Sequence, residues 1–524
     1  MGEKQSSYTT KEQVHNRAKD AIGKTMRELY NSAGVYNVKD LVKNKSFIGD
    51  AFECWMKVPK NSRAEADITN AGVELKATPY KVLKSGKKSA KERLVLNIID
   101  YVKEAKQTFE TSSFQHKDKL MELAFYENDN SKNNDDKANW KFDEAILFSF
   151  PKKDLEIIKH DWETIHEYII EGKAHEINEG LTDYLAACTK GKSKKAVRKQ
   201  PYNDIPAKQR AYSLKTGYMT SILRDYVFGD KKDPAIRKAK YSEKEKNETS
   251  NIETESIFNE DELQHENLDK ALANKLNMYK GVRIAEIPYR GQTLGDFLSK
   301  NKKVKQKLHM AVSGMLGLVG DAEAAEEIQK ADIMIKTVRV NKNSKGELHI
   351  NENMSFPAFD FKDVASENWE DSALYKVVNS KFLFAIFEEA EDTQSNELNY
   401  IFRGVKVWNM PNSDIEMVKH VWEDTKYKII KGVKLKFESN KILNNFINAT
   451  DNMIVHVRPH SRKSSYTNNV YSSELPTPAD WISQKPQNRE IDNSNLYMTK
   501  QCFWLNKDYV LKKILVGDES EARL

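Results

Sequence analysis

The chain has few cysteines and no long apolar run. Its 524 residues include three cysteines, Cys54, Cys188 and Cys502, which are too few and too widely spaced for a disulfide framework or a zinc cluster. No segment approaches the roughly 18 consecutive apolar residues of a membrane span. The polar N-terminal segment also lacks the apolar core of a secretory signal. These absences exclude an integral membrane protein and predict a soluble protein of the bacterial cytoplasm.

Charge of one sign is not in large excess either. The chain has 84 Lys+Arg against 78 Asp+Glu, a formal net charge of +6. Whether this bias indicates a nucleic-acid partner depends on whether the positive charge is clustered. Basic runs occur at 190–199 and 458–463. Because a charge run is usually only a solvated face, these runs alone leave nucleic-acid contact and ordinary surface both open.

Length and patterning predict a mixed α/β protein with more than one domain. At about 150 residues per domain, the length fits three or four average domains or two large ones. Helical periodicity appears at 11–29, and strand-like runs appear at 72–77 and 120–126. Residues 230–262 are charged and poor in apolar side chains, so we expect a linker there. Mixed patterning then resumes and continues almost to the C-terminus.

An internal repeat relates the two halves. Residues 145–173 read AILFSFPKKDLEIIKHDWETIHEYIIEGK, and residues 405–433, which lie 260 positions later, read VKVWNMPNSDIEMVKHVWEDTKYKIIKGV. Each segment predicts a strand, a proline turn and an amphipathic helix. Residues 75–77 match residues 335–337 at the same separation of 260 positions. Residues 119–127 match residues 381–389 at a separation of 262 positions. Independent matches at nearly one separation predict a duplicated fold.

One group of polar residues has the spacing of a metal-dependent phosphodiesterase site. Glu74 and Lys76 share one face of a predicted strand, because side chains alternate along a strand. A turn at Gly72 can bring Asp67 beside them. Two carboxylates supply the oxygen ligands that Mg²⁺ prefers, and a lysine can neutralise phosphate charge or help to deprotonate a water. Glu53, on a predicted helix, is a further acidic candidate; a solvated edge strand is the alternative interpretation.

The surrounding sequence resembles the MutH-like endonucleases, in which an acidic helix residue precedes a D-x6-E-L-K motif. The resemblance covers nearly all of residues 10–229, with the motifs in order. The matching segments are GDAFE at 49–53, DITNAGVELKATP at 67–79, FETSSFQHK at 109–117, KKDLEIIKHDWE at 152–163 and RAYSLKTGYMTSIL at 210–223.

The two-domain layout is similar to that of the GATC-cutting type IIE restriction endonucleases, where a catalytic MutH-like domain precedes a MutH-like effector domain. The resemblance implies two restriction-endonuclease-like domains, each a mixed central β-sheet flanked by helices. We therefore expect a catalytic domain at 1–229, the charged linker at 230–262 and an effector domain at 263–524.

The resemblance also implies a role for each matched residue. In the catalytic set, Mg²⁺ would be held by Asp67, Glu74 and Glu53, with Lys76 beside them and Lys117 as an accessory cation near the scissile phosphate. The implied DNA contacts are Thr189 and Lys190 in a base-reading loop, Lys215 on the last strand, and Arg458 and His460 in the second copy. Arginine is a natural reader of guanine, although each of these cations could instead be an ordinary surface or phosphate-binding residue.

Two departures from the family pattern stand out. Ser213 occupies a position where the nicking member of the family has a tyrosine implicated in sensing adenine methylation, so the response to methylated sites is open. In the second copy, Met334 stands 260 residues after Glu74, and Asn379 stands 262 after Lys117. Methionine does not replace a carboxylate ligand of Mg²⁺, so we expect a second copy that binds DNA without cutting it.

Together these observations predict a Mg²⁺-dependent type II restriction endonuclease. The resemblance implies recognition of 5′-GATC in double-stranded DNA, cleavage to 5′-phosphates, and a second bound site that acts as allosteric effector. Cutting both strands requires either a dimer formed on DNA or two sequential nicks, and a companion methyltransferase would protect the host. The alternatives are a strand-nicking repair endonuclease and a non-cleaving DNA-binding regulator.

Overall fold

The structure is a computed structural model that describes most of the chain. Within the described part, none of the helices is both long and apolar enough to cross a membrane. The basic residues 192–195 and much of the predicted linker lie outside it. The described residues are 8–59, 65–83, 85–128, 134–191, 196–229, 237–238, 254–301, 303–304, 306–390 and 399–516.

The chain divides into two compact units that are discontinuous in sequence. The first contains Met1–Leu272 and Leu318–Ile333, and the second contains Ala273–Gly317 and Met334–Leu524. The predicted effector domain, 263–524, thus gives its first residues and an internal segment to the first unit.

The helices are mostly short, and the two longest begin 260 residues apart. In chain order they are α1 (Lys11–Lys19), α2 (Met26–Ser32), α3 (Phe47–Trp55), α4 (Tyr101–Glu104), α5 (Ser113–Asp118), α6 (Lys152–Ile170), α7 (Thr216–Ile222), α8 (Glu260–Gln264), α9 (Leu268–Asn277), α10 (Leu294–Lys300), α11 (Lys307–Met315), α12 (Glu326–Lys330), α13 (Phe361–Ser366), α14 (Ala373–Val378), α15 (Asn412–Lys431) and α16 (Lys507–Tyr509). The π-helical segments Leu223–Val227 and Val510–Leu515 follow α7 and α16.

The strands form several small sheets. In chain order they are β1 (Glu74–Val82), β2 (Lys88–Ala90), β3 (Leu94–Ile98), β4 (Leu120–Glu127), β5 (Glu144–Ser149), β6 (Leu185–Thr189), β7 (Val197–Gln200), β8 (Asn203–Lys208), β9 (Arg210–Leu214), β10 (Arg237–Lys238), β11 (Pro288–Tyr289), β12 (Gln292–Thr293), β13 (Ile333–Lys342), β14 (Leu348–Ile350), β15 (Met354–Phe359), β16 (Lys381–Glu389), β17 (Tyr400–Asn409), β18 (Lys434–Glu438), β19 (Lys441–Asn444), β20 (Val455–Pro459), β21 (Ser472–Glu474), β22 (Asp480–Trp481), β23 (Tyr497–Thr499) and β24 (Gln501–Leu505).

A mixed sheet of order β10-β5-β4-β1-β2 forms the centre of the first unit. Strands β1 and β4 are parallel, with Glu74 opposite Met121, and the other neighbours in this sheet are antiparallel. A second sheet has the order β3-β9-β6. Strand β4 is buried on both faces along nearly its whole length, as its almost continuous apolar sequence predicts. The parallel β1–β4 pair therefore places the starts of two strands side by side.

The helical periodicity at 11–29 corresponds to two helices rather than one. Helix α1 begins at a capping box between Thr10 and Gln13, and α2 begins at another after Thr25. Between them Gly23 has a φ of +79°, which an L-residue adopts only with strain, and its N–H donates to the Phe142 carbonyl. The single continuous helix suggested by the periodicity is thus wrong, although its apolar stripe is buried as expected.

The second unit has the same strand orders as the first. The order β14-β13-β16-β17 corresponds to β2-β1-β4-β5, and β15-β24-β20 corresponds to β3-β9-β6. Helices α6 and α15 each follow a proline, Pro151 and Pro411. In each unit a buried tryptophan of this helix, Trp162 or Trp422, packs against an aromatic ring of an earlier segment. The topology therefore repeats as the internal sequence match predicts.

Buried charges hold the segment Leu318–Ile333 in the first unit. The Lys330 ammonium lies 2.7 and 2.8 Å from the two carboxylate oxygens of Asp154 and 2.6 Å from Glu326, and its side chain is 3% exposed. The Glu327 carboxylate accepts hydrogen bonds from Lys153 and from the backbone around residue 257. Charged groups this far from water are stabilised only where they are paired, as they are here.

A buried histidine in the second unit makes its stability sensitive to pH. His456 on β20 is fully buried, and neither ring nitrogen has a hydrogen-bond partner among the described residues. Burial, helped by the charge of Arg458, lowers the pKa of His456 to about 4. The unfolded state, with a pKa near 6.5, therefore binds more protons between these values, and stability is lost as pH falls through that window.

We expect the free energy of unfolding of the second unit to fall by up to about 2 kcal/mol between pH 7.5 and pH 5, owing to His456. Urea unfolding of the full chain at both pH values measures this change. His456→Leu removes the titrating group and should flatten the pH dependence, whereas His420→Leu, at a 77% exposed side chain, should not. Equal pH dependence in the parent and His456→Leu would contradict this assignment.

Candidate active site

The predicted catalytic residues meet where β1 and β4 begin. Glu74 is the first residue of β1, and a turn closed by Gly72, at a φ of +64°, precedes it. This turn brings Asp67 back against the strand: the Asp67 N–H donates to Glu74 Oε2 at 3.1 Å, and the Leu75 N–H donates to Asp67 Oδ2 at 3.1 Å. Two reciprocal hydrogen bonds thus fix the two carboxylates beside each other.

Two lysines approach the same carboxylate oxygen. Lys76 Nζ donates to Glu74 Oε1 at 2.6 Å, and Lys117 Nζ lies 3.5 Å from that atom. Lys117 is on α5, which begins after Ser112, whose hydroxyl accepts the Gln115 N–H. The Glu74 side chain is only 3% exposed, so these charges interact where water screens them little. The structure therefore assembles four of the five predicted catalytic residues.

Burial and like charge make this site unusual electrostatically. Burial, followed by the neighbouring Glu74 carboxylate, raises the pKa of Asp67 to about 6. Burial would lower the pKa of Lys76, but Glu74 and Asp118 outweigh it and raise that pKa above its ordinary value. The neighbouring carboxylates thus favour the cationic form of Lys76.

The donor set fits a hard divalent cation. Asp67 and Glu74 are adjacent carboxylates, and burial together with the Glu74 charge raises the pKa of Asp67. A bound Mg²⁺ would offset both effects. Glu53 lies on α3, a helix that packs against β1. The described residues contain no group of three His, Cys, Asp or Glu side chains arranged to hold a metal ion, so Glu53 is not assembled with the other two as a ready three-carboxylate site.

Asp118 was missed by sequence reasoning. It is fully buried at the end of α5, directly after Lys117. Burial raises the pKa of Asp118 to about 7, and the Lys76 ammonium is the strongest opposing influence. The sequence carries no pattern that would have identified it, because it lies outside the D-x6-E-L-K motif.

The predicted DNA-contact residues are not equally exposed. Thr189 and Lys190 are exposed at the end of β6. Lys215 is buried instead, with its ammonium bonded to the carbonyls of Thr182 and Ala331, so a DNA contact from it is not seen. The reason is that Leu318–Ile333 packs against it, a long-range contact that local sequence does not reveal.

In the second unit the base-reading candidates surround an aromatic ring. Arg458 and His460 are both exposed at the end of β20. The Arg458 guanidinium lies 5.1 Å from the ring centroid of Trp504, and the His460 ring lies 5.8 Å from it. The His460 N–H donates to the Lys500 carbonyl, which anchors the strand end. The arrangement presents a stacked cation at the surface.

The catalytic set is not reproduced in the second copy. Glu327, which lies 260 residues after Asp67, belongs to the first unit, whereas Met334 is the first residue of the second segment of the second unit. When the helices α5 and α14 are matched from the serines that cap them, the residue at the position of Lys117 is Val377 rather than the predicted Asn379. The second copy therefore lacks both a paired carboxylate site and the accessory lysine.

Comparison with known proteins gives several matches. Residues 56–161 match the family described as DNA mismatch repair enzyme MutH. The chain is 41% identical over 531 residues to the type II restriction enzyme Sau3AI of Staphylococcus aureus, covering 97% of this chain and 99% of that protein. It is 26% identical over 220 residues to the DNA mismatch repair protein MutH of Escherichia coli strain SMS-3-5, a match that covers 41% of this chain and 92% of that protein. A solved complex of restriction endonuclease MvaI with cognate DNA matches at 13% identity and a TM-score of 0.18, covering 44% and 96%, and carries no structural argument.

Proposed function

Since the chain belongs to the family of the type II restriction enzyme Sau3AI, and is therefore a site-specific deoxyribonuclease, we propose that it recognises 5′-GATC in double-stranded DNA and hydrolyses it with Mg²⁺ to leave 5′-phosphates. The observation that carries the Mg²⁺-dependent hydrolysis is the hydrogen-bonded group of Asp67, Glu74 and Lys76, and the GATC specificity rests on the resemblance of the sequence. A cytoplasmic location follows from the proposed substrate, and a companion methyltransferase would protect the host sites.

Each residue of the site has a proposed task. Asp67 and Glu74 would hold Mg²⁺, which when bound supplies Lewis-acid stabilisation of the negative charge that develops on the phosphate. Lys76, kept protonated beside Glu74, would donate to a phosphate oxygen and neutralise the same charge. Lys117 approaches Glu74 from α5 and would supply a second cation. Glu53 would contact the bound Mg²⁺ either through a water molecule or after a shift of α3.

The second unit would bind another GATC site and raise the activity of the first. Its exposed Arg458, stacked near Trp504, suits bidentate recognition of guanine. The absence of a carboxylate at Met334 supports a role in binding without cleavage. Two sites per functional complex, read by one chain or by a dimer formed on DNA, follow from this division of tasks.

Two alternatives fit fewer observations. A strand-nicking repair endonuclease needs only one such domain, and the chain matches the MutH relative over 41% of its length but the type II restriction enzyme over 97%. A non-cleaving DNA-binding regulator has no use for paired carboxylates held beside two lysines.

Incubation of unmethylated plasmids carrying one or several GATC sites, with Mg²⁺ or with EDTA, tests the proposal. We expect linear and fragmented products only with Mg²⁺, and run-off sequencing should place every cut at GATC. Nicked circles alone at completion would support the repair-type alternative, and intact plasmid would support the regulator. Adenine-methylated plasmid in parallel determines the effect of the substitution at Ser213.

The effector role predicts a separate phenotype for Arg458→Ala. Loss of one bidentate base contact should weaken binding of the second site by about 10- to 100-fold. Cleavage of single-site DNA should then require correspondingly more added GATC duplex for stimulation, while the maximal rate stays unchanged. Lys441→Ala, at an exposed lysine of β19 in the same unit, is the charge-matched control. Identical stimulation curves for Arg458→Ala and the parent would remove the effector assignment.

A further inference from the structure

One buried carboxylate next to the catalytic lysines has no hydrogen bond of normal geometry within the described part of the chain. Asp118 is the last residue of α5 and is fully buried. It precedes Met121 by three residues, and Met121 pairs with Glu74 at the start of β1. Asp118 therefore lies at the same edge of the sheet as the catalytic group.

Neither oxygen of Asp118 accepts a hydrogen bond of normal geometry from any residue in the described ranges. The charged and polar groups around it are the ammonium groups of Lys76 and Lys117, the Glu74 carboxylate and the Asn97 backbone N–H. A buried carboxylate without such bonds lowers the stability of the fold. A buried polar group that lowers stability in this way calls for an explanation outside folding.

The second copy shows that the fold does not require this carboxylate. Helices α5 and α14 each have six residues and follow a serine, Ser112 or Ser372, whose hydroxyl accepts the N–H of the third helix residue. Matched from these serines, Asp118 corresponds to Val378, which is also fully buried. The copy without a catalytic set thus has an apolar side chain at this position.

The hydrogen bonding of Lys76 suggests what Asp118 does. In this structure the Lys76 ammonium is bonded to Glu74 Oε1. Under the proposed function, on which this inference rests, Glu74 would hold a divalent cation. Lys76 would then share its carboxylate partner with that cation and would be repelled by the added positive charge. A second anion beside Lys76 would hold the ammonium in place.

We propose that Asp118 is a positioning residue, which accepts a hydrogen bond from Lys76 once Glu74 binds a cation and so keeps the ammonium directed at the scissile phosphate. Asp118 itself contacts neither DNA nor the reacting atoms. Its effect on the rate passes entirely through Lys76, and this separates it from a residue that merely supports the fold.

The experiment replaces Asp118 by valine, the residue of the second copy, and by asparagine, its isostere. For both variants we expect the single-turnover cleavage rate of a GATC duplex in Mg²⁺ to fall by about 10- to 100-fold, as for other residues that orient a catalytic group. Duplex affinity in Ca²⁺ should stay within about threefold, and the urea midpoint should equal or exceed that of the parent because an unpaired buried charge is gone.

A double-mutant cycle tests the route through Lys76. In a Lys76→Met background, Asp118→Val should change the residual rate by less than about twofold. If Asp118→Val lowered the rate equally in the parent and in the Lys76→Met background, the proposal would be wrong. It would also be wrong if the effect of Asp118→Val vanished in a Lys117→Met background but not in Lys76→Met, because Asp118 would then act through Lys117. Asp118→Glu, which restores the carboxylate, should recover part of the rate.

Glu122→Gln is the matched control. Glu122 is another fully buried carboxylate on β4, bonded to His15. It lies opposite Leu75, so strand alternation places it on the other face of the sheet from Glu74 and Lys76. Its loss should lower stability but leave the cleavage rate of folded protein within about threefold. If the parent and Asp118→Val cut GATC DNA equally well, this inference is refuted and the proposed function stands. If the parent does not cut GATC DNA, the proposed function itself is refuted.

Discussion

Replacement of Lys76 by methionine is expected to reduce cleavage of a GATC duplex by at least about 10²- to 10³-fold. Methionine keeps the length of the side chain and removes the cation that would neutralise charge on the phosphate in the transition state. Asp67→Asn should have an effect at least as large, because an amide cannot supply the anionic ligand that Mg²⁺ requires. Single-turnover rates with enzyme in excess over duplex measure both effects, and binding of the duplex in Ca²⁺ should survive in Lys76→Met.

The internal repeat supplies a control at the equivalent position. Lys336 lies 260 residues after Lys76 and near the ring of Phe356 in the second unit. Lys336→Met should leave the cleavage rate of single-site DNA within about twofold, since surface or partly buried changes outside a site act mainly on stability. If Lys76→Met retained the parental rate, the catalytic site would lie elsewhere in the chain. Equal losses in both variants would indicate a general effect of lysine removal.

The sequence was enough to predict that three residues of the candidate site lie side by side, because they are close along the chain. Asp67, Glu74 and Lys76 lie within ten positions, so strand alternation and one glycine turn are enough to bring them together. Lys117, which the MutH-like resemblance supplied as an accessory cation, comes close through the parallel pairing of β1 with β4. The repeat predicted a duplicated fold, and the two units have matching strand orders.

The sequence did not predict contacts that cross from one half of the chain to the other. Lys215 looked like a DNA-binding lysine by its motif, but it donates to the Ala331 carbonyl, 116 residues away. Nothing in the local pattern at 318–333 distinguishes a segment that packs with the first unit from one that packs with the second. Tertiary contacts of this kind decide where a segment packs, whatever its local sequence pattern predicts. In the same way, the turn at Gly23 divides the single helix that the periodicity at 11–29 predicts into two.

The same long-range contacts give the largest expected effect on stability. Lys330→Met would leave the carboxylates of Asp154 and Glu326 without the cation that now lies between them. Removal of one partner of a buried ion pair typically costs about 3–5 kcal/mol, because the remaining charge stays buried and unpaired. Tyr218, whose hydroxyl donates to Asp154 at 2.9 Å, would compensate only in part. We expect the urea midpoint of the first unit to fall accordingly.

A second substitution separates the buried charge from the lost packing. Asp154→Asn in the Lys330→Met background removes most of the uncompensated charge, so it should recover a large part of the loss, as replacement of both partners does elsewhere. Lys173→Met, which breaks an exposed pair with Glu171 at 2.8 Å, should shift the urea midpoint far less, because solvent screens that pair. Hydrogen exchange of the amides of α6 would locate the effect, because Asp154 lies in its first turn. If Lys330→Met were no less stable than Lys173→Met, the segment Leu318–Ile333 would not be held in the first unit by this ion pair, and its burial there would rest on apolar contacts alone.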